Sequence, residues 1–393
     1  MSGTALLCLM AFCNTVVVGA FGPLLPEIGR AQALADWQLG VLAGSFGFAR
    51  MAADVPTGWL AGRRLGSTLA LAPVVLLAGL LLLGSGGPLG VLVLGRILTG
   101  LAHTLGMVGG LTAILQDQRG PSASVRLNTF EFSGMLGILG GLAAVGVLPT
   151  RWGWNVSLLA ASAPLLVTLA LVPLFRRRFP DRPRETVEPA RSGAGPLVSP
   201  GAGARPAPIV ALMFAVGAVM ALSWSSVSQF LVPLRGEREF GLDRAGISRM
   251  LALAQLIDLV ALLPVGWCAD RVGRIPVLAA VAAVLGLGTW GVGLGSFPLF
   301  ALGCALFGLG LAGWMLPLGV LREHTPLGGL AWRTGLYRVG VDAAIFLGPL
   351  ICGFLGEANT RIFSALIGLA TLAAAACLVS GSLRRGARRA VLS

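Results

Sequence analysis

The sequence predicts an all-α membrane protein of twelve transmembrane helices, arranged as two six-helix bundles related by pseudo-symmetry. Three observations carry that prediction. The 393-residue chain is 56% hydrophobic and only 11% charged, too little charge for the surface of a water-soluble domain of this size. Apolar runs such as Thr68–Gly87 and Phe363–Leu383 reach the ~20 residues that cross a bilayer. And one phrase is spelled twice: PTGWLAGRR from Pro56 and PVGWCADRV from Pro264, 208 residues later.

Apolar stretches separated by polar or Pro/Gly breaks place the spans at 4–25, 38–60, 67–86, 88–115, 126–148 and 155–175, then 209–234, 245–268, 275–295, 297–321, 334–356 and 361–383. The hydrocarbon offers the backbone no water to bond to, so these spans are helices; a barrel reads as ~10-residue alternating segments. The start, MSGTALLCLM, lacks a basic region and is expected to be a retained first span rather than a cleaved signal. Between the sixth and seventh spans the segment Arg176–Pro208 is rich in Pro, Gly and Arg without helical periodicity, as in a flexible linker. Three parts are therefore expected: a bundle over 1–175, a basic linker over 176–208, and a second bundle over 209–393 with a basic tail.

All 29 basic residues are Arg, and the net charge is +13. Their distribution reads as topology, not nucleic-acid binding. With the central linker in the cytoplasm, nineteen arginines fall on that side, including the linker's seven and the tail's four, against seven on the other (Arg30, Arg151, Arg235, Arg238, Arg244, Arg249, Arg361). The positive-inside rule then puts both termini in the cytoplasm; the membrane expected is a bacterial inner membrane. Six Cys lie in or beside apolar runs and read as small hydrophobes, not as disulfides or metal ligands.

Aligned at the 208-residue offset, Ala53, Pro56, Gly58, Trp59, Ala61 and Arg63 match Ala261, Pro264, Gly266, Trp267, Ala269 and Arg271, and LGRILTGL (Leu94–Leu101) matches LGCALFGL (Leu302–Leu309). With a three-residue slip, Glu131 aligns with Asp342. Internal repeats of this kind mark secondary transporters, which bind substrate near midplane between the repeats. Twelve spans as six plus six, a basic central loop and a Gly-x-x-x-Asp-Arg-x-Gly-Arg signature after spans two and eight resemble the major facilitator superfamily over essentially the whole chain. The second copy holds Gly266, Asp270, Arg271, Gly273 and Arg274. The first has Gly62 where the family has Asp, and one extra residue before Gly66. GRILTG resembles the span-four motif that, in proton-coupled exporters, sets an arginine (here Arg96) within the membrane. GMLGILGGL in span five resembles the glycine-rich exporter motif, with Ile138 in place of its Pro. The resemblance implies alternating access, a cytoplasmic gate that includes Gly58, Arg63, Gly266, Asp270 and Arg271, and a chain that works as a monomer.

Ionisable residues inside spans are costly and mark pathways or pairs. Arg50 and Asp54 in span two, and Arg338 and Asp342 in span eleven, are each four apart and can pair along one helix face. In the family fold those spans face each other. Asp54 with Arg338, or Arg50 with Asp342, is then expected to bridge the halves as a charge gate that closes when the protein faces outward. Glu131 and Asp258 have no opposite charge nearby in sequence. A carboxylate in low dielectric holds a proton more readily than in water, which makes Asp258, Glu131 and Asp342 the proton-coupling candidates. Arg96 stays charged and can hold an anion or counter a carboxylate; His103 can titrate or pack. Asn14 in span one, Trp224, Ser225 and Gln229 in span seven, and Trp314 in span ten lie on spans that line the family's cavity. Their flat apolar and weakly hydrogen-bonding surfaces suit an amphipathic molecule better than a sugar.

GLGLAG (Gly308–Gly313) satisfies a dinucleotide fingerprint but lies within an apolar span without a preceding strand, so it reads as helix packing. No Walker sequence, zinc spacing or Ser/His/Asp set appears, and the chain has two His. The expectation is a secondary transporter and not an enzyme, without cofactor, driven by the proton gradient. Export of small amphipathic compounds leads; uptake of an organic anion on Arg96 or Arg338, and a non-transporting receptor or assembly factor, are the alternatives.

Overall fold

The computed structural model describes residues 2–116, 123–181, 208–325 and 327–392; most of the expected linker lies outside the described residues. Every regular element among them is helical. The first half holds α1 (Gly3–Ala31), α2 (Asp36–Arg63), α3 (Leu65–Gly84), α4 (Leu89–Gln116) and α5 (Ala123–Val147). It ends in three short helices, α6 (Trp154–Ala161), α7 (Leu165–Ala170) and α8 (Val172–Arg178). The second half begins with α9 (Pro208–Ser226), which runs through a π-helix (Val227–Leu231) into α10 (Val232–Phe240). There follow α11 (Arg244–Val272), α12 (Arg274–Leu294), α13 (Phe297–Leu311), α14 (Leu316–Glu323) and α15 (Leu327–Leu392), which bends at Gly356.

Ten helical stretches of the described residues are long and apolar enough to cross a membrane. The other two expected spans fall short for local reasons. Helix α2 has the length but carries Asp36, Arg50, Asp54 and Arg63. The sixth span, expected as one helix over 155–175, breaks at Ser162–Pro164 and again at Leu171. Large apolar side chains such as Val55, Val147, Val260 and Leu263 stand exposed, as lipid-facing residues do, since no hydrophobic force hides them from acyl chains. The chain is a multi-pass membrane protein.

The packing shows the pseudo-symmetry that the repeated phrase announces. In the first half α1 packs on α5, α2 on α4, and α3 on α4; in the second, α9 packs on the first limb of α15, α11 on α13, and α12 on α13. Two contacts join the halves in matching fashion, α2 on α15 and α5 on α11. The phrase itself folds alike twice: Arg63 stacks on Trp59 at 4.1 Å, and Arg271 on Trp267 at 4.0 Å. The turns beyond it differ. Gly273 takes φ +104 between α11 and α12, a conformation glycine permits, whereas Arg64 makes the α2–α3 turn at φ −134. Below that turn Asp181 accepts a 3.0 Å bond from the Ser67 N–H and a second from its hydroxyl, and caps α3. Burial alone would push the Asp181 carboxyl up, but these bonds and the nearby Arg64 hold it below its usual range.

Cross-half packing is closest where α2 meets α15. A Cβ at Gly40 would stand 2.6 Å from the Pro349 carbonyl oxygen and 2.9 Å from the Gly353 Cα, so two glycines let the backbones approach as small residues do in membranes.

Candidate functional site

Midway along α2, the Arg50 guanidinium forms an ion pair with Asp342 of α15, N to O 2.6 Å. One turn further toward the basic end, Arg338 of α15 donates to Asp54 of α2 at 3.3 Å. Both cross-half pairings expected from the sequence are thus present together, and the local i, i+4 pairs are not formed. The first is deep, with Asp342 at 1% exposure; the second is wetter, with Arg338 at 35%. No hydrogen bond or ion pair joins described residues of the two halves further toward the basic end, and a Cβ at Gly58, Gly266, Gly335 or Gly340 would meet nothing.

The opposite end is closed by a second layer of charge. Glu27 of α1 pairs with Arg244 of α11, Arg30 with Glu237 at 2.8 Å, and Asp36 of α2 with Arg238 of α10 at 2.6 Å. Arg244 also donates to the Ser157 hydroxyl at 2.6 Å and the Trp152 carbonyl at 2.9 Å. The halves are therefore sealed at the end poor in arginine and parted at the end rich in it. This corrects the expectation that the Arg50–Asp342 and Asp54–Arg338 pairs close only when the basic end is shut. They form with that end open.

Between the two charged layers lies Arg96 of α4, at 0% exposure. The Phe21 ring of α1 lies 3.7 Å and the Phe46 ring of α2 4.6 Å from its guanidinium carbon, a favourable aromatic setting for a cation. Its Nη2 donates to Gln229 Oε1 at 3.1 Å, while Nε and Nη1 have no partner. A guanidinium carries five N–H donors, and each one left unmet in a dry interior has a cost. On the same helices Asn14, His103, Thr104 and Ser226 also hold buried polar atoms without partners. His103 packs on Phe46 at 5.5 Å and lies within electrostatic reach of Arg50, Arg96 and Arg338.

The carboxylate candidates separate. Glu131 of α5 makes no hydrogen bond or ion pair among the described residues but lies in the field of Arg338 and Arg50. Asp258 of α11, at 7% exposure, accepts one bond from Gln255 at 3.2 Å and keeps Oδ1 bare. Trp224 and Trp314 meet edge to face at 6.4 Å.

Other residues singled out by the sequence stand as follows in this state, with the basic end parted. Ser225 is fully buried and donates to the Ala344 carbonyl at 3.2 Å; it serves packing between α9 and α15. Gly58 and Gly266 touch nothing across the halves. Arg63 and Arg271 are spent on their own helices' tryptophans. Asp270 is exposed, with no ion pair among the described residues. Sequence reasoning missed the Phe21–Phe46 clamp, because two aromatics on different spans carry no spacing signal. It also missed the outer ion pairs: their charges were visible as an outer-face set, but not their partners.

The fold matches solved transporters closely: a POT family transporter in complex with 5-aminolevulinic acid (TM-score 0.78, 13% identity, 97% of this chain and 96% of that one), peptide transporter POT in complex with sulfate (0.77, 15%, 97% and 94%), and nucleoside transporter NupG (0.71, 14%, 97% and 99%). Among curated proteins, human monocarboxylate transporter 11 is 33% identical over 129 residues. That match takes in 30% of this chain and only 27% of the relative's length. The Major Facilitator Superfamily model matches residues 7–238, more than half of the chain and across its first bundle into α10. With a transporter fold, two pseudo-symmetric bundles and the twice-spelled phrase closing α2 and α11, the chain belongs to the Major Facilitator Superfamily.

Proposed function

We propose that this secondary transporter is a proton-coupled symporter that takes a small organic anion into the cell, with Arg96 holding the anion and Glu131 carrying the proton. The observation that carries the reading is Arg96 itself: a fully buried guanidinium with unspent donors between two aromatic rings. Such a group is costly unless something anionic visits it. The similarity to a monocarboxylate transporter over part of the chain agrees with that choice. By the arginine count the basic end faces the cytoplasm, and we place the protein in a bacterial inner membrane. The structure is then the inward-facing state, in which the outer charged layer covers Arg96. The anion reaches Arg96 from outside when that layer parts. The protein works as a monomer, its bundles 1–175 and 209–393 rocking against each other, with the proton gradient as its only energy source.

Charge balance explains the coupling. Arg50–Asp342 and Arg338–Asp54 neutralise each other, so an anion alone on Arg96 adds one negative charge to the membrane interior. One proton on Glu131 restores the balance, and both the empty and the doubly loaded carrier can then cross the occluded state. The half-loaded forms cannot. One anion per proton follows.

Purified protein in liposomes, given an inward proton gradient and labelled pyruvate, lactate or benzoate, tests this. Uptake of at least one anion should collapse with an uncoupler, ignore an imposed potassium diffusion potential, and fall at least about 100-fold in Arg96→Leu. Arg96→Lys should retain part of it. Proton-driven extrusion of lipophilic dyes with no anion uptake would instead favour export of amphipathic compounds, for which the Trp224–Trp314 pair offers a surface.

A further inference from the structure

We infer that Gln229 is an internal stand-in for the substrate: in the empty carrier its side-chain carbonyl oxygen occupies the anion position on Arg96, and the arriving anion displaces it. The inference rests on the anion-holding role of Arg96 and adds what the empty site contains and what substrate binding breaks.

Three observations carry it. Gln229 Oε1 is the one hydrogen-bond acceptor on a guanidinium that is otherwise closed in by Phe21 and Phe46. The bond runs from α4 in one half to the π-helix in the other. Between the outer ion pairs and Arg50–Asp342 it is the only side-chain hydrogen bond across the halves among the described residues. Finally, Gln229 stands at the centre of the π-helix, which interrupts a helix that is α on both sides, with Ser226 at φ −63, ψ −46 and Val232 at φ −60, ψ −46. A π-turn inside a long helix is rare and recurs at functional sites. Here it offers the wider turn that sets the amide on Arg96.

The chemistry makes the exchange one-way in preference. An amide oxygen is a neutral acceptor that takes one guanidinium N–H here, whereas a carboxylate brings the opposite charge and can accept two N–H bonds in parallel. A small anion therefore wins Arg96 from Gln229. A neutral molecule has to leave the guanidinium as badly satisfied as it found it, and gains nothing. Displacement also cuts the inner tie between α4 and the seventh span, so binding and loosening of the halves are one event. Gln229 is in this sense a positioning residue: it decides which ligands can pay for entry.

The test is chemical rescue in the full-length purified protein. Gln229→Ala removes the stand-in and leaves room for acetate. In equal ionic strength of sodium acetate or chloride, acetate should raise the unfolding temperature of Gln229→Ala about 3 °C more than that of the wild type. The added shift should vanish in Gln229→Ala/Arg96→Leu. An equal shift in wild type and Gln229→Ala, or one that survives loss of Arg96, overturns the inference. Should Gln229→Ala not fold, Gln229→Glu decides: a tethered carboxylate on Arg96 should keep the unfolding temperature at or above wild type while anion uptake falls at least tenfold. A lower unfolding temperature overturns it. The symport reading is judged separately, by wild-type uptake in liposomes. Uptake through Arg96 with no acetate rescue sinks only the role of Gln229, and no uptake of any anion sinks the symport reading itself.

Discussion

Arg50 and Arg338 each find a carboxylate on the opposite half, yet the two pairs should differ in worth because their surroundings differ. Asp342 is almost wholly excluded from solvent, so removing Arg50 strands a buried negative charge. Loss of one partner of a buried pair costs about 3–5 kcal/mol. Arg338 is a third exposed and its contact with Asp54 is longer, and pairs open to water are worth about 1 kcal/mol or less. Thermal unfolding in detergent should therefore show Arg50→Gln far more damaged than Arg338→Gln; equal losses would contradict the burial argument. Charge exchange gives the complementary check. Arg338→Asp should slow transport, and adding Asp54→Arg should restore much of it, because the cross-half geometry tolerates either polarity.

At the scale of elements, the contact between α2 and the first limb of α15 rests on missing side chains. Gly40 and Gly353 bring the backbones together where any Cβ would collide with main-chain atoms that cannot step aside. Gly40→Leu should wedge the pair apart at the outer end while each helix persists. The native Cys352, fully buried on α15, reports on this without any added label site. It should react with a membrane-impermeant maleimide from the outer side in Gly40→Leu and stay protected in the wild type. Initial uptake in the same variant should fall at least about tenfold, since the inward-facing state loses its seal.

At the scale of the whole molecule, the two charged layers work as opposing clasps. The outer one joins Glu27, Arg30 and Asp36 of the first half to Arg244, Glu237 and Arg238 of the second. Arg244 is its deepest member, held also by Ser157 and the Trp152 carbonyl. Arg244→Glu should set two carboxylates against each other and shift the population outward. Steady-state uptake should drop, and a cysteine placed near Arg96 should become reachable from outside. Pairing it with Glu27→Arg should reverse both effects. An Arg244→Glu variant that stayed inward-facing would mean the outer seal depends on helix packing rather than charge.

The architecture was legible in the residues alone, because the quantities that set it are local or periodic. Apolar length gives ten of the twelve expected spans, and the Pro56/Pro264 repeat gives the two-fold symmetry that reappears in the contacts of α1 with α5 and α9 with α15. The broken sixth span did carry a signal, Pro164 and Pro173 beside its two breaks, but the continuous apolar run outweighed it in the reading of one helix. The charged residues of the site could be listed from sequence, since an ionisable group in a span stands out at once. Their partners could not all be told. Arg50 with Asp342 was one of two pairings the sequence allowed, whereas the contacts of Ser225 with Ala344, Arg63 with Trp59 and Arg271 with Trp267 carried no signal that singled them out. Which end is open, and that Arg96 lies clamped between Phe21 and Phe46 with Gln229 on its free edge, only the tertiary structure decided. Those facts depend on how two covalently distant halves lean on each other, and that balance of contact energies leaves no spacing in the chain.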